Sequence, residues 1–180
     1  VGNITVGGTG KTPHTEYLVS ILKKKFNVAV LSRGYKRKTV GYIYANATAS
    51  AQTIGDEPFQ IYQKHPDIVV AVDANRRNGI KQILLSHPQT DVVLLDDAFQ
   101  HRYVEANQTI LLVDYNRPIT EDNMLPYGNL RESIDGIKRA DIILITKCPP
   151  NLTPIEARNI YKSLNLLAYQ DIFYKSFAYG

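Results

Sequence analysis

Tryptophan is absent from this 180-residue chain, and cysteine and methionine occur once each. A lone Cys148 excludes an internal disulfide framework and any metal site built from several cysteines. It is compatible with a reducing compartment. No apolar run approaches the roughly 20 residues a helix needs to cross a bilayer. Internal repeats and low-complexity tracts are also missing, and the twelve tyrosines are scattered without a repeat, so they mark no stacking platform. No zinc-finger spacing or aromatic–basic RNA-binding motif occurs, and the basic runs Lys23-Lys24-Lys25 and Lys36-Arg37-Lys38 are short. A formal charge of +4 favours anions mildly and gives no case for nucleic acid.

What remains, 44% hydrophobic and 21% charged residues, is the composition of a globular chain long enough for one α/β domain with a sizeable core. The chain opens on Val1-Gly2, with almost no strand ahead of its first motif. The expectation is therefore of an N-terminus lying upstream, with room there for a membrane segment or signal.

That first motif is Val6-Gly7-Gly8-Thr9-Gly10-Lys11-Thr12-Pro13. Glycines at 7, 8 and 10 allow a tight turn with inward N–H groups. Lys11 brings a mobile ammonium and Thr12 a hydroxyl at a helix start, a combination suited to a nucleotide's phosphate chain. The strict phosphate-loop pattern also requires glycine six residues before the lysine, where this chain has Thr5. A helix is expected from Pro13, with apolar residues at helical spacing through residues 15–25 and the three lysines at its C-terminus.

Strand-like and helix-like stretches then alternate. Val28-Ala29-Val30-Leu31 reads as a buried strand leading into Ser32-Arg33-Gly34-Tyr35, where Arg33 and Arg37 are either phosphate clamps or solvent-facing turn residues. Tyr42-Ile43-Tyr44-Ala45 reads as a short edge strand. Gly55-Asp56-Glu57-Pro58 opens a helix, with Asp56 either its N-cap or a carboxylate that deprotonates a hydroxyl or supports Mg²⁺. Ile68-Val69-Val70-Ala71-Val72 reads as a central strand followed by Asp73, Asn75, Arg76 and Arg77, of which one or both arginines can face a reaction centre.

Asp91-Val92-Val93-Leu94-Leu95-Asp96-Asp97 has the form of a Walker B element, an apolar strand ending in acids that hold Mg²⁺ directly or through water. Strand side chains alternate, so Asp96 and Asp97 have different roles unless the strand has already turned. Gln100 and His101 follow at the same sheet end, His101 orienting a substrate or water or serving structurally. Strands are expected again at Ile110-Leu111-Leu112-Val113-Asp114, at Ile142-Ile143-Leu144-Ile145 and within residues 172–177. Between them lie a long loop with Pro118, Pro126 and Gly128, a short helix ending near Arg139, and a helix capped by Thr153 with Pro154 and Glu156. Lys147 stands where a nucleobase can pack, without the Asn-Lys-x-Asp pattern of a guanine reader.

The alternation predicts a three-layer, P-loop NTPase-like α/β domain with a mostly parallel sheet flanked by helices, spanning 1–180, with residues from about 148 leading onward. Loop residues Gly7, Gly8, Thr9, Gly10, Lys11 and Thr12 would hold a nucleotide, and Thr12, Asp96 and Asp97 would hold Mg²⁺.

In order, the N-terminal block, Ser32-Arg33-Gly34-Tyr35, Gly55-Asp56-Glu57-Pro58, Asp96-Asp97-Ala98-Phe99-Gln100-His101 and Leu130-Arg131-Glu132 resemble the tetraacyldisaccharide 4'-kinase family. The resemblance implies γ-phosphoryl transfer from ATP, with Mg²⁺, to the 4'-hydroxyl of a tetraacyldisaccharide 1-phosphate. It implies a place on the cytoplasmic face of the bacterial inner membrane and no obligate protein partner. It makes Asp56 the catalytic carboxylate with Glu57 beside it, Arg76 a phosphate-contacting arginine, Gln100 and His101 active-site polar residues, and Glu132 a further acid near the metal. It also implies a histidine, paired with the catalytic aspartate, in a distal segment for which this chain has no counterpart. Lys36 and Ala98 stand where the family commonly has glycine. Readings outside the resemblance are a P-loop ATPase and a non-catalytic nucleotide-binding module.

Overall fold

A computed structural model describes residues 1–6 and 8–176. Its contacts group into two compact units, one formed by Thr12–Glu105 and one by Val1–Lys11 together with Ala106–Gly180.

In the unit Thr12–Glu105, four strands lie in the order β2-β3-β1-β4: β1 (Val28–Ser32), β2 (Ile43–Tyr44), β3 (Val69–Val72) and β4 (Val92–Leu95). β1 pairs in parallel with β3 and β4, whereas β2 caps the β3 edge antiparallel. Alternation along β1 and β3 sorts the core. Val28, Val30, Val70 and Val72 meet Val19 of α1 (Lys11–Leu22), Ile54 of α2 (Ala51–Ile54) and Ile61 of α3 (Asp56–Lys64) on one face. Ala29, Leu31 and Ala71 meet Ile83 of α4 (Arg76–Ser86) on the other. Helices thus cover both faces of a mostly parallel sheet, as the continuous apolar strands require. Each fully buried Leu or Ile here contributes about 1.5–3 kcal/mol. Gly79 lets α4 approach closely, since a Cβ there would lie 2.8 Å from the Leu31 methyls.

The second unit carries three parallel strands in sequential order, β5 (Ile110–Asp114), β6 (Ile142–Thr146) and β7 (Asp171–Tyr174). A 3-10 helix (Ile134–Arg139) precedes β6, and α5 (Pro154–Leu164) connects β6 to β7. The expected capping box is present: Thr153 Oγ1 accepts from the Glu156 N–H, and the Glu156 carboxylate accepts from the Thr153 N–H at 2.8 Å. The N-terminal segment lies along β5, where Gly2 N–H donates to the Ile110 carbonyl at 3.0 Å and Gly2 O accepts from Leu112 N–H at 2.8 Å. Among the described residues no helix is long and apolar enough to cross a membrane.

Several expected boundaries move. α1 begins at Lys11, with Pro13 inside its first turn, and ends at Leu22, so the three lysines follow the helix rather than close it. Lys23 instead bonds Asp67 at 2.9 Å. A short helix, α2, stands just before Gly55, where no helix is expected from the sequence. The last strand ends at Tyr174; Phe177, included in that expectation, lies outside the described residues.

Candidate active site

The strand order of the Thr12–Glu105 unit reverses at β1: the chain moves first to β3 on one side and then, through α4, to β4 on the other. In open α/β sheets such a switch point places ligands outside the strands' carboxyl ends. The segments leaving those ends are Arg33-Gly34 after β1, Asp73 to Arg76 after β3 and Asp96-Asp97 after β4.

Asp96 is fully buried, and its Oδ1 accepts from Thr15 Oγ1 at 2.9 Å. Thr15 stands one turn along α1 from Thr12, so the helix that starts at Lys11-Thr12 is fastened to the acidic pair through its second turn. β4 ends at Leu95 and Asp97 has φ 46°, so the chain has already turned at the second acid and strand alternation no longer separates the two. The positive φ falls on Asp97 and not on Ala98.

Arg76 opens α4 behind the N-cap Asn75, whose side chain accepts from Asn78 N–H. It is 2% exposed; Nη1 donates to the Asp73 carbonyl and Nη2 to the Asp96 carbonyl at 3.2 Å. Burial lowers the guanidinium's pKa, and the nearby Asp96 opposes that shift. Asp73 is buried and accepts from Asn75 N–H at 2.9 Å and Asn78 Nδ2 at 2.7 Å, fixing the turn that aims Arg76. The neighbouring Arg77 is exposed, which separates the two arginines in environment. His101 is half-buried, its backbone N–H bonded to the Ala98 carbonyl at 2.8 Å. Its pKa is lowered by burial and then by the charges of Arg76 and Arg33. Two arginines, a histidine and two aspartates thus share one edge; Gln100, just before His101, is exposed.

Asp56 is the first residue of α3, not its cap. Gly55 holds the N-cap position with φ 93° and no side-chain cap bond. This overturns the cap reading, because the carboxylate lies one residue too late to cap. Asp56 and Glu57 are exposed in the first turn, where the helix field favours anions. Two glycines hold this turn against the loop after β1. A Cβ on Gly55 would sit 3.0 Å from the Tyr35 carbonyl oxygen, and one on Gly34 (φ 71°) would sit 2.5 Å from Arg37 Cδ. Arg37 therefore folds back over Gly34, and its Nη2 donates to the Gly41 carbonyl at 2.6 Å, a turn-bracing role rather than a clamp.

In the unit containing Val1–Lys11, Asn3 is fully buried and its Nδ2 donates to Thr9 Oγ1 at 2.9 Å, while Thr146 Oγ1 donates to the Thr9 carbonyl at 3.1 Å. Thr5, which replaces the pattern's first glycine, forms an antiparallel bridge with Leu130. Gly10 has φ 83° and Gly8 is exposed; Gly7 lies outside the described residues. Glu132 accepts from Arg139 Nη2 at 2.7 Å. Lys147, with φ 58°, pairs with Asp114 beside a cavity of about 240 Å³ lined by Asp114, Tyr115, Ile119, Asn159 and Ile160.

Among the described residues no group of three or more His, Cys, Asp or Glu side chains is placed to hold a metal ion. The acidic pair offers carboxylate oxygens, and Thr12, one turn before the Asp96-bound Thr15 on α1, offers a hydroxyl; all are hard oxygens. Such a set suits Mg²⁺, which keeps waters and borrows phosphate oxygens. No motif singles out Thr15, Asp73 or Asn3. Thr15 was detectable as the residue three positions from Thr12 on one helical face.

Residues 1–173 match the family model described as tetraacyldisaccharide-1-P 4'-kinase. The chain is 56% identical over its whole length to a tetraacyldisaccharide 4'-kinase of Phocaeicola vulgatus, covering 50% of that protein. It is 50% identical over its whole length to one of Porphyromonas gingivalis, covering 51%. A crystal structure of LpxK from Aquifex aeolicus in complex with ATP superposes with a TM-score of 0.77 at 33% identity, over 96% of this chain and 51% of that one. The chain thus spans about half the length of the relatives it matches. By the family match across residues 1–173, it belongs to the tetraacyldisaccharide 4'-kinase family.

Proposed function

We propose that this chain supplies the nucleotide-binding and phosphoryl-transfer half of a lipid A 4'-kinase. ATP and Mg²⁺ serve it, and the acceptor is the 4'-hydroxyl of a tetraacyldisaccharide 1-phosphate. The acceptor carries acyl chains, so the reaction belongs at a membrane surface, the cytoplasmic face of the bacterial inner membrane. The observation that carries this reading is the pair of bonds converging on Asp96, from Thr15 of the loop-borne helix and from Arg76.

The backbone of Gly7 to Gly10 and the ammonium of Lys11 hold the β- and γ-phosphates. Thr12, Asp96 and Asp97 would hold Mg²⁺, with Glu132 contributing to its surroundings. The cation, when bound, neutralises charge on the phosphate oxygens. The acceptor oxygen attacks the γ-phosphorus in line, the bond to the β-phosphate oxygen breaks, and the hydroxyl proton passes to Asp56. Asp56 is suited to this because its carboxylate is exposed and not spent on capping. Arg76, pinned by two backbone carbonyls, meets charge on the transferring group at no reorganisation cost. His101, kept neutral, orients acceptor or water, with Gln100 and Glu57 lining the approach.

The test is a comparison of ATP affinity and transfer in protein carrying this chain at its relatives' length. Asp56→Ala should lower transfer by about 10²–10⁴-fold while leaving the ATP dissociation constant nearly unchanged. Lys11→Ala should weaken both. Undiminished transfer by Asp56→Ala rejects the proton-acceptor role, and phosphate release that ignores the acceptor favours an ATPase.

A further inference from the structure

From Arg33 to Gly55 the sequence contains four cations, Arg33, Lys36, Arg37 and Lys38, and no acid. The whole chain has 21 basic and 17 acidic residues, so this one segment accounts for all of its net positive charge. The same segment carries two of the chain's most exposed apolar side chains, Tyr35 at 73% and Val40 at 92%. A single exposed apolar side chain is ordinary on a protein surface; two within six residues, with Lys36 and Lys38 between them, form a local apolar–cationic pattern.

The loop is nonetheless a built structure. Lys38 N–H donates to the Gln52 carbonyl at 2.9 Å, Thr39 Oγ1 to the Thr53 carbonyl at 2.5 Å, and Arg37 to the Gly41 carbonyl. Its base is locked by the Gly34–Gly55 contact described above. Lys36, at φ 60° where glycine is favoured, turns the chain and places its ammonium 5.5 Å from the Tyr35 ring centroid. Within this braced loop Tyr35, Lys36, Lys38 and Val40 are all exposed. An aromatic and an aliphatic side chain flanked by lysines match the interfacial zone of an anionic bilayer, where rings sit at headgroup depth and cations meet lipid phosphates.

We propose that residues 35–40 are a membrane-interface anchor that seats the carboxyl edge of this sheet on an anionic phospholipid surface. The occupant is the bilayer itself, because a soluble anion would use the lysines and leave Tyr35 and Val40 in water. The inference rests on the membrane-facing reading above for its setting. Its readout requires no phosphoryl transfer, so either can fail alone.

The experiment is co-sedimentation of this chain, without nucleotide, with vesicles of phosphatidylcholine alone or with 30 mol% phosphatidylglycerol, about the anionic fraction that gives a strong surface field. Binding is expected only to the anionic vesicles. Lys36→Gln/Lys38→Gln should weaken it about 25-fold, roughly fivefold per cation, and Lys25→Gln/Lys81→Gln should not. Tyr35→Ser/Val40→Ser, which leaves the charge unchanged, should weaken it about tenfold. Both loop variants are exposed-site changes and should keep the parent's thermal transition. Equal loss from the Lys25/Lys81 variant, full binding by Tyr35→Ser/Val40→Ser, or displacement by about 10 mM inorganic phosphate at a constant ionic strength of about 0.1 M, where the Debye length is near 10 Å, would each overturn the proposal. The last would reassign the loop to single phosphate groups.

Discussion

His101 feels burial first and then the positive fields of Arg76 and Arg33, all of which disfavour its protonated form. The folded state therefore binds this proton less readily than the unfolded chain, whose histidine titrates near 6.5. Its contribution to stability is present above that pH and is lost as pH falls through 6.5 towards the lower folded midpoint. An NMR titration should give His101 a midpoint below 6.5. Arg33→Ala should move it upward; an unchanged midpoint would separate Arg33 from the site. Thr15→Val removes the donor to a buried Asp96 oxygen and should cost about 1–3 kcal/mol in denaturant unfolding. Gly55→Ala forces a Cβ against the Tyr35 carbonyl at positive φ and should cost about 1–3 kcal/mol. Stability equal to the parent would mean that the two motifs are not locked together as described.

Among the elements, α5 is the most fully written in sequence: Thr153, Pro154 and Glu156 are cap, first-turn proline and box partner, as observed. Thr153→Ala should lower the thermal transition by the equivalent of about 0.5–2 kcal/mol. Strands β1, β3, β5 and β6 were legible for a related reason, since apolar runs buried on both faces leave little alternative. Element starts were less legible. Asp56 and Gly55 both suit an N-cap, and the choice of Gly55 follows from its closeness to the loop after β1, a tertiary contact no local pattern carries. α2 was hidden because its first-turn brace is Thr53, which accepts from Ser50 N–H at 2.9 Å, where the recognisable box has Glu or Gln. Of the site, the acids after β4 and the arginine after β3 were readable as charges at strand ends. The Thr15–Asp96 bond spans 81 residues and could be seen only in the fold.

At the scale of the molecule, scattered motifs become one edge because β1 pairs in parallel with both β3 and β4, so the loops after all three leave from the same end, and the order β2-β3-β1-β4 makes them neighbours. The N-terminal segment joins a unit otherwise formed by residues beyond 105, through the pairing of Gly2 with Leu111. That partnership across the chain is invisible to periodicity. The most direct test of the whole account is the fate of the labelled γ-phosphate of ATP, followed in protein carrying this chain at its relatives' length with a tetraacyldisaccharide 1-phosphate. The account predicts label on the 4'-oxygen of the disaccharide, lost with Asp56→Ala. Label found only as free phosphate, or on any other oxygen of the lipid, would contradict it.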